Sequence, residues 1–231
     1  MSSHVKPAPL APDDPRRKWG LFNIRDASKY LGTRERTLNN WARGAGDAQP
    51  VITAFKEGKE VLLPFVGFAE AYALTALRRA GVSMQEIRPA VADLKREVGI
   101  EHALASRNLA TDGVRVLYKY AGDDPDHTVV RTKQKQFRKT VEEYLRPIHY
   151  GDDGWADRIT LPLYGRARVV VDPRKAFGHP MLASGRARVE DIADRFTAGE
   201  SIEDLAFDFR ISKEEVEDVI RVEALACRAA A

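Results

Sequence analysis

Apolar residues recur at three- and four-residue spacing over Ile24, Ala27, Tyr30 and Leu31, and the run stops at Gly32. The pattern predicts an amphipathic helix from Leu21 closed by a glycine. Thr33 is placed to cap a second helix over 34–43, with Leu38 and Trp41 as its apolar contacts and Gly44-Ala45-Gly46 as its end. Two β-favouring runs follow, 51–55 and 60–63, around the turn Lys56-Glu57-Gly58-Lys59. They predict a hairpin. Helix, tight turn, helix and hairpin in that order is the plan of a winged helix-turn-helix.

Pro64 then opens a long helix with an apolar stripe of Phe65, Phe68, Ala69, Tyr72, Leu74 and Leu77, ended by Gly81. Ser83 and Glu86 have capping-box spacing ahead of a helix through Ile87, Val91, Leu94 and Val98 that contains Pro89. A short helix is expected over 100–106. From about Leu109 to Phe177 the pattern changes: 114–120, 159–163 and 167–171 favour strands, broken by Gly, Asp and Pro. A small antiparallel sheet is expected there, with 134–144 open between helix and strand. After Gly178, Val189, Ile192, Ala193 and Phe196 mark one short helix closed by Gly199. Ser201 with Asp204, and Ser212 with Glu215, mark the starts of two more.

The expected fold is therefore mainly α with a small β region. Its parts are a flexible, proline-rich arm (1–20), a winged helix-turn-helix with following helices (21–108), a β-rich centre (109–178) and a C-terminal trihelical module (179–231).

Charge sharpens this division. The net charge is +3, but residues 189–231 hold 12 acidic and five basic side chains, or −7, which leaves +10 on residues 1–188. The basic part suits a polyanion and the acidic part does not. No apolar run reaches the roughly 20 residues of a membrane span, and the first 18 residues lack a signal-peptide stretch, so a cytoplasmic protein is expected. One cysteine, Cys227, allows neither an intrachain disulfide nor a cysteine-clustered metal site. The five histidines lack metal-ligand spacing. No phosphate-binding glycine loop or Gly-x-Ser-x-Gly occurs. Asp123-Asp124-Pro125-Asp126 and Asp152-Asp153 read as solvated turns, and Trp19 and Trp155 as packing residues. Neither an enzyme nor a cofactor or metal is expected.

Candidate chemistry gathers on the second helix. Arg34, Arg36, Thr37, Asn39, Asn40 and Arg43 surround Leu38 and Trp41. Arginine and asparagine match guanine and adenine edges in the major groove. Arg25 belongs to the same candidate surface, and Lys56 and Lys59 sit at the hairpin tip, where cations would meet phosphate. An ordinary basic amphipathic helix is the alternative. Arg131, Lys133 and Lys135 alternate as on one strand face, either a second DNA contact or a charged edge.

The run from Phe22 to Thr33, with Arg36-Thr37-Leu38 and Trp41, resembles the DNA-binding domain of MerR-family regulators, as does Leu77 to Ile87. That resemblance implies a dimeric winged helix on double-stranded operator DNA; the cysteines of metal-sensing members are missing. Phe177-Gly178-His179-Pro180-Met181, Gly185-Arg186-Ala187-Arg188-Val189 and Gly199 to Leu205 resemble the trihelical module of VapB-type antitoxins. This second resemblance implies a type II toxin–antitoxin pair whose partner is a PIN-like ribonuclease toxin. The final helix, with Glu214, Glu215, Glu217, Asp218 and Glu223, is too acidic for a DNA reader. A protein contact is expected instead, through self-association, the toxin or both, with Arg186 and Arg188 either as toxin-facing residues or as solvated side chains. The competing readings are a MerR-like regulator with an effector site in the β-rich centre, and a protein-only adaptor.

Overall fold

The structure is a computed structural model that describes residues 7–98, 101–109 and 139–228. It divides into two compact units, Met1–Asp157 and Arg158–Ala231. The described residues are mainly helical, with two small antiparallel sheets. Among them no helix is long and apolar enough to cross a membrane.

The first unit contains α1 (Pro15–Lys18), β1 (Phe22–Asn23), α2 (Ile24–Leu31), α3 (Glu35–Arg43), β2 (Phe55–Glu57), β3 (Glu60–Leu63), α4 (Phe65–Arg79) and α5 (Met84–Val98). A 3-10 turn (Ala103–Ala105), a helix α6 over 139–145 and β4 (Ile148–Tyr150) follow. Helix α4 is its centre. Every residue from Phe65 to Leu77 is buried, not only the predicted stripe, as in a helix surrounded by its own domain. Gly67 permits this: a Cβ there would lie 2.0 Å from the Thr53 carbonyl oxygen. The Ser83–Glu86 capping box forms, with Ser83 N donating to Glu86 Oε2 at 2.6 Å and Glu86 N to Ser83 Oγ at 3.2 Å.

Several expectations change in this unit. Residues 7–20 are not a free arm. Asp14 caps α1 with Pro15 at its first position, Leu10 is 6% exposed, Trp155 Nε1 donates to Ala8 O at 2.7 Å and Arg16 Nη2 to Asp153 Oδ2 at 2.6 Å. Proline content signalled disorder, but Asp-Pro is also a helix start, and distant side chains tie the segment down. Asp153 is accordingly paired, whereas Trp19 is 56% exposed. The α3 cap position is Arg34 rather than Thr33 and has no side-chain cap bond. Strand β2 begins at Phe55, because Val51 and Ile52 are buried with both N–H groups donating to Trp41 O. The helix expected over 100–106 is the 3-10 turn. Residues 139–144 are helical; the strand expected over 114–120 and the stripe of Arg131, Lys133 and Lys135 lie outside the described residues.

The second unit takes up β5 (Ala156–Leu161), which straddles the boundary, and contains β6 (Val169–Val171), β7 (Met181–Leu182), α7 (Val189–Thr197), α8 (Ile202–Phe209) and α9 (Lys213–Arg228). Ile159 pairs with Val171 and Val169 with Leu182. The division at 157/158 differs from the predicted boundaries near 108 and 178, because these strands share one unit with the C-terminal helices. The Ser201 and Ser212 caps form as spaced, to Asp204 N at 3.1 Å and Glu215 N at 3.2 Å. Asp218 of α9 clamps a 3-10 segment (Pro162–Ala167): it accepts Arg166 N and Nε at 3.0 Å each, and Arg221 Nη1 at 2.8 Å. The Arg166 guanidinium holds the Asp218 carboxyl down at about 2.

Candidate nucleic-acid interface

The geometry of this face begins with two local stops. Asn23 caps α2 by accepting Asp26 N at 2.8 Å, and Gly32 ends it at φ 59°, with Thr33 N donating to Ser28 O at 3.0 Å. Glycine is favoured there by its backbone conformation. Its φ is left-handed, and a Cβ would lie 2.9 Å from Arg79 Nη2. That guanidinium donates to Leu31 O at 3.1 Å, so the end of α4 pins the turn between α2 and α3.

Helix α3 then buries Leu38, Trp41 and Ala42. The spacing turns Arg36, Asn39, Asn40 and Arg43 to the opposite side as an i, i+3, i+4, i+7 stripe. Arg36 and Arg43 are exposed, and Asn39 and Asn40 half-buried. Beside the stripe stands the β2–β3 hairpin, in which Glu57 pairs with Glu60 around Gly58 at φ 60°. Arg43 joins helix to hairpin, donating from Nε to Asn39 Oδ1 at 3.0 Å and from Nη2 to Lys59 O at 2.9 Å.

Between them lies an open cleft of about 510 Å³ whose lining includes Arg25, Arg36, Asn39, Arg43 and Lys59. The fold thus brings together five of the nine residues expected to meet DNA. Asn40 belongs to the outward stripe, while Arg34, Thr37 and Lys56 are not part of the cleft lining. Lys56 is exposed on β2 opposite Val61, and Thr37 is half-buried on the far flank of α3. The face is not purely cationic, since Glu35 and Glu60 also line it.

Sequence reasoning missed Asn23, which lines the cleft as well as capping α2. Its Asn-x-x-Asp spacing was the available signal. It also missed the Arg43 tether and a buried node elsewhere in the first unit. There Glu70, 1% exposed, accepts Thr53 N at 2.5 Å, and His102 Nδ1 lies 2.9 Å from Thr53 Oγ1 and 3.5 Å from Glu70 Oε1. No sequence pattern announces a node assembled from three distant segments.

Arg186 and Arg188 lie in the second unit. Arg188 Nη2 donates to Asp191 Oδ1 at 2.6 Å, with its side chain 41% exposed, and holds that carboxyl below its usual range. Arg186 Nη1 donates to Arg210 O at 2.5 Å. No group of three His, Cys, Asp or Glu among the described residues is placed to hold a metal ion.

Comparison with known proteins covers the segment that carries this face. Residues 20–91 match the family model described as "Putative DNA-binding HTH domain", and residues 169–221 match "Protein of unknown function (DUF433)". The chain is 41% identical over 221 residues to the protein named "Putative antitoxin VapB45" of Mycobacterium tuberculosis, covering 87% of this chain and 92% of that one. It belongs to the VapB antitoxin family. The crystal structure of Rv2018 from the same organism superposes with a TM-score of 0.75 at 38% identity, covering 89% of this chain and 99% of the other. Helices α2 and α3 with their hairpin fall inside the matched helix-turn-helix segment of this antitoxin, and β6 through most of α9 fall inside the second.

Proposed function

We propose that the chain is the antitoxin of a type II toxin–antitoxin pair that binds its own operator as a homodimer and neutralises a PIN-like ribonuclease by direct contact. The α3 stripe of Arg36, Asn39, Asn40 and Arg43 carries this reading. It turns base-reading side chains to one side of a helix whose other side is anchored in the core. The hairpin acts as a wing that sets Lys59, and at its outer edge Lys56, against phosphate, with Arg25 and Arg34 at the helix starts. Thr37 lies at the margin of this surface. The MerR-like mode of dimeric docking belongs to the same proposal, and cytoplasm is the compartment it requires.

Toxin contact is assigned to the second unit. Arg186 and Arg188 are held in fixed geometry by Arg210 O and Asp191, so their remaining donors are pre-organised to meet carboxylates. Gel-shift titration of the operator upstream of this chain's own gene tests the DNA half. Arg36→Ala should cost about 2 kcal/mol of specific affinity and reduce the salt slope. Equal affinity of parent and variant for operator and random DNA removes it. Co-expression with the neighbouring nuclease gene tests the other half, with restored growth expected.

A further inference from the structure

We propose that the loop over 172–180 is the knob by which this antitoxin holds its protein partner, with Phe177 seated in an apolar pocket rimmed by carboxylates. The proposal rests on the toxin–antitoxin reading above and adds an anchor to the contact it assigns to Arg186 and Arg188.

Phe177 is 89% exposed, the most exposed of the large hydrophobic side chains among the described residues. It also stands on strained backbone. Ala176 has φ 46° and Phe177 φ 53°, the one adjacent pair of non-glycine residues at positive φ among those described. An L-residue pays for that conformation in free energy. A protein that spends backbone strain to hold an aromatic ring in water keeps the arrangement for what the ring will meet.

The loop is nevertheless fixed. Asp172 Oδ1 accepts Arg174 N at 2.9 Å and Nε at 3.2 Å, Lys175 N donates to Asp172 O at 3.0 Å, Gly178 N to Lys175 O at 2.8 Å and His179 N to Ala176 O at 3.0 Å. Buried Val171 and Met181 anchor its ends. A rigid exposed aromatic loses little freedom on docking, which is what makes such residues strong interface anchors.

Charge identifies the occupant. The loop's one acid, Asp172, is 4% exposed and engaged by Arg174, whereas Arg174, Lys175 and His179 are exposed. Residues 166–188 hold six basic side chains and one acidic; Arg166, Arg174 and Arg188 are paired with Asp218, Asp172 and Asp191, so Arg168, Lys175 and Arg186 give the loop its cationic surroundings. The complement is an acidic rim. A nucleic acid fits less well, because the whole unit, 158–231, holds 12 basic and 13 acidic side chains, −1, and a polyanion would meet all of it. A protein pocket meets the loop alone.

The test uses the full chain and the purified product of the nuclease gene beside its own, with affinity measured by calorimetry. Phe177→Gly relieves the positive φ, so its Tm should equal or exceed the parent's while affinity falls about 30-fold. A gain in stability with a loss in binding is an outcome that a merely structural residue does not produce. Lys175→Glu should weaken binding about 10-fold, the loss shrinking at high salt. Phe207→Ser, which removes an equally exposed ring (84%) from α8, should leave affinity unchanged. Undiminished binding by Phe177→Gly overturns the inference and leaves the antitoxin reading intact, as does an equal loss with Phe207→Ser. Loss of affinity for a labelled oligonucleotide, or of self-association, while toxin binding persists assigns the knob to another occupant and overturns it too. Absence of binding by the parent overturns both the reading and the inference.

Discussion

The chain builds the helix-turn-helix pattern twice, and the two copies face the solvent with opposite chemistry. Helix α2 is capped by Asn23 and ends at Gly32 in the left-handed region; α8 is capped by Ser201 and ends at Arg210, φ 52°, in the same region. Each leads into an amphipathic helix whose inner side is core: Leu38 and Trp41 in α3, Val216 and Val219 in α9. Outward, α3 shows Arg36, Asn39, Asn40 and Arg43, whereas α9 shows Glu214 and Glu217. Local backbone grammar therefore makes the scaffold, and the two copies differ on their outer faces. On the function proposed above, a phosphate backbone is drawn to the first face and repelled by the second.

The harshest way to break the comparison is to remove the inner side of one copy. Trp41→Ala should cost about 4 kcal/mol, seen as an earlier transition assigned to the first unit by hydrogen exchange. Amides of α9 should keep their protection. Next in size is the clamp of the other copy. Asp218→Asn gives up charge-assisted bonds to Arg166 and Arg221 and should cost about 2 kcal/mol, without weakening operator binding. The same clamp has a pH signature. Because the folded-state pKa of Asp218 is depressed to about 2 from 3.8, its contribution is complete above the unfolded value and is lost as pH falls from about 4 through 2. Parent and Asp218→Asn should converge in stability over that window, as acid titration followed by circular dichroism would read. The smallest effect sharpens the boundary of the interface. Lys56→Ala, outside the cleft, should change operator affinity by under about 0.5 kcal/mol and act mainly on the salt slope. A loss as large as that of Arg36→Ala would place the hairpin strand, not α3, at the centre of recognition.

What the amino-acid sequence determined by itself is whatever is settled within one or two turns of chain. Ser83 with Glu86, Ser201 with Asp204, Ser212 with Glu215 and the stop at Gly32 were all legible, because a cap and its partner are three residues apart. The outward stripe of α3 was legible for the same reason, since Leu38 and Trp41 define the buried side and helical geometry assigns the rest. Tertiary structure alone decided which of those residues share a cleft, that Arg43 bridges to Lys59 O, and that residues 7–20 pack through Leu10 and Arg16 instead of trailing. It also decided that Glu70, Thr53 and His102 meet in the core, and that strands β5 to β7 join the C-terminal helices in one unit. The physical reason is that spacing along a chain specifies neighbours on one element, whereas contacts across 17 residues, as between Thr53 and Glu70, or 137, as between Arg16 and Asp153, exist only once the topology has chosen which surfaces meet.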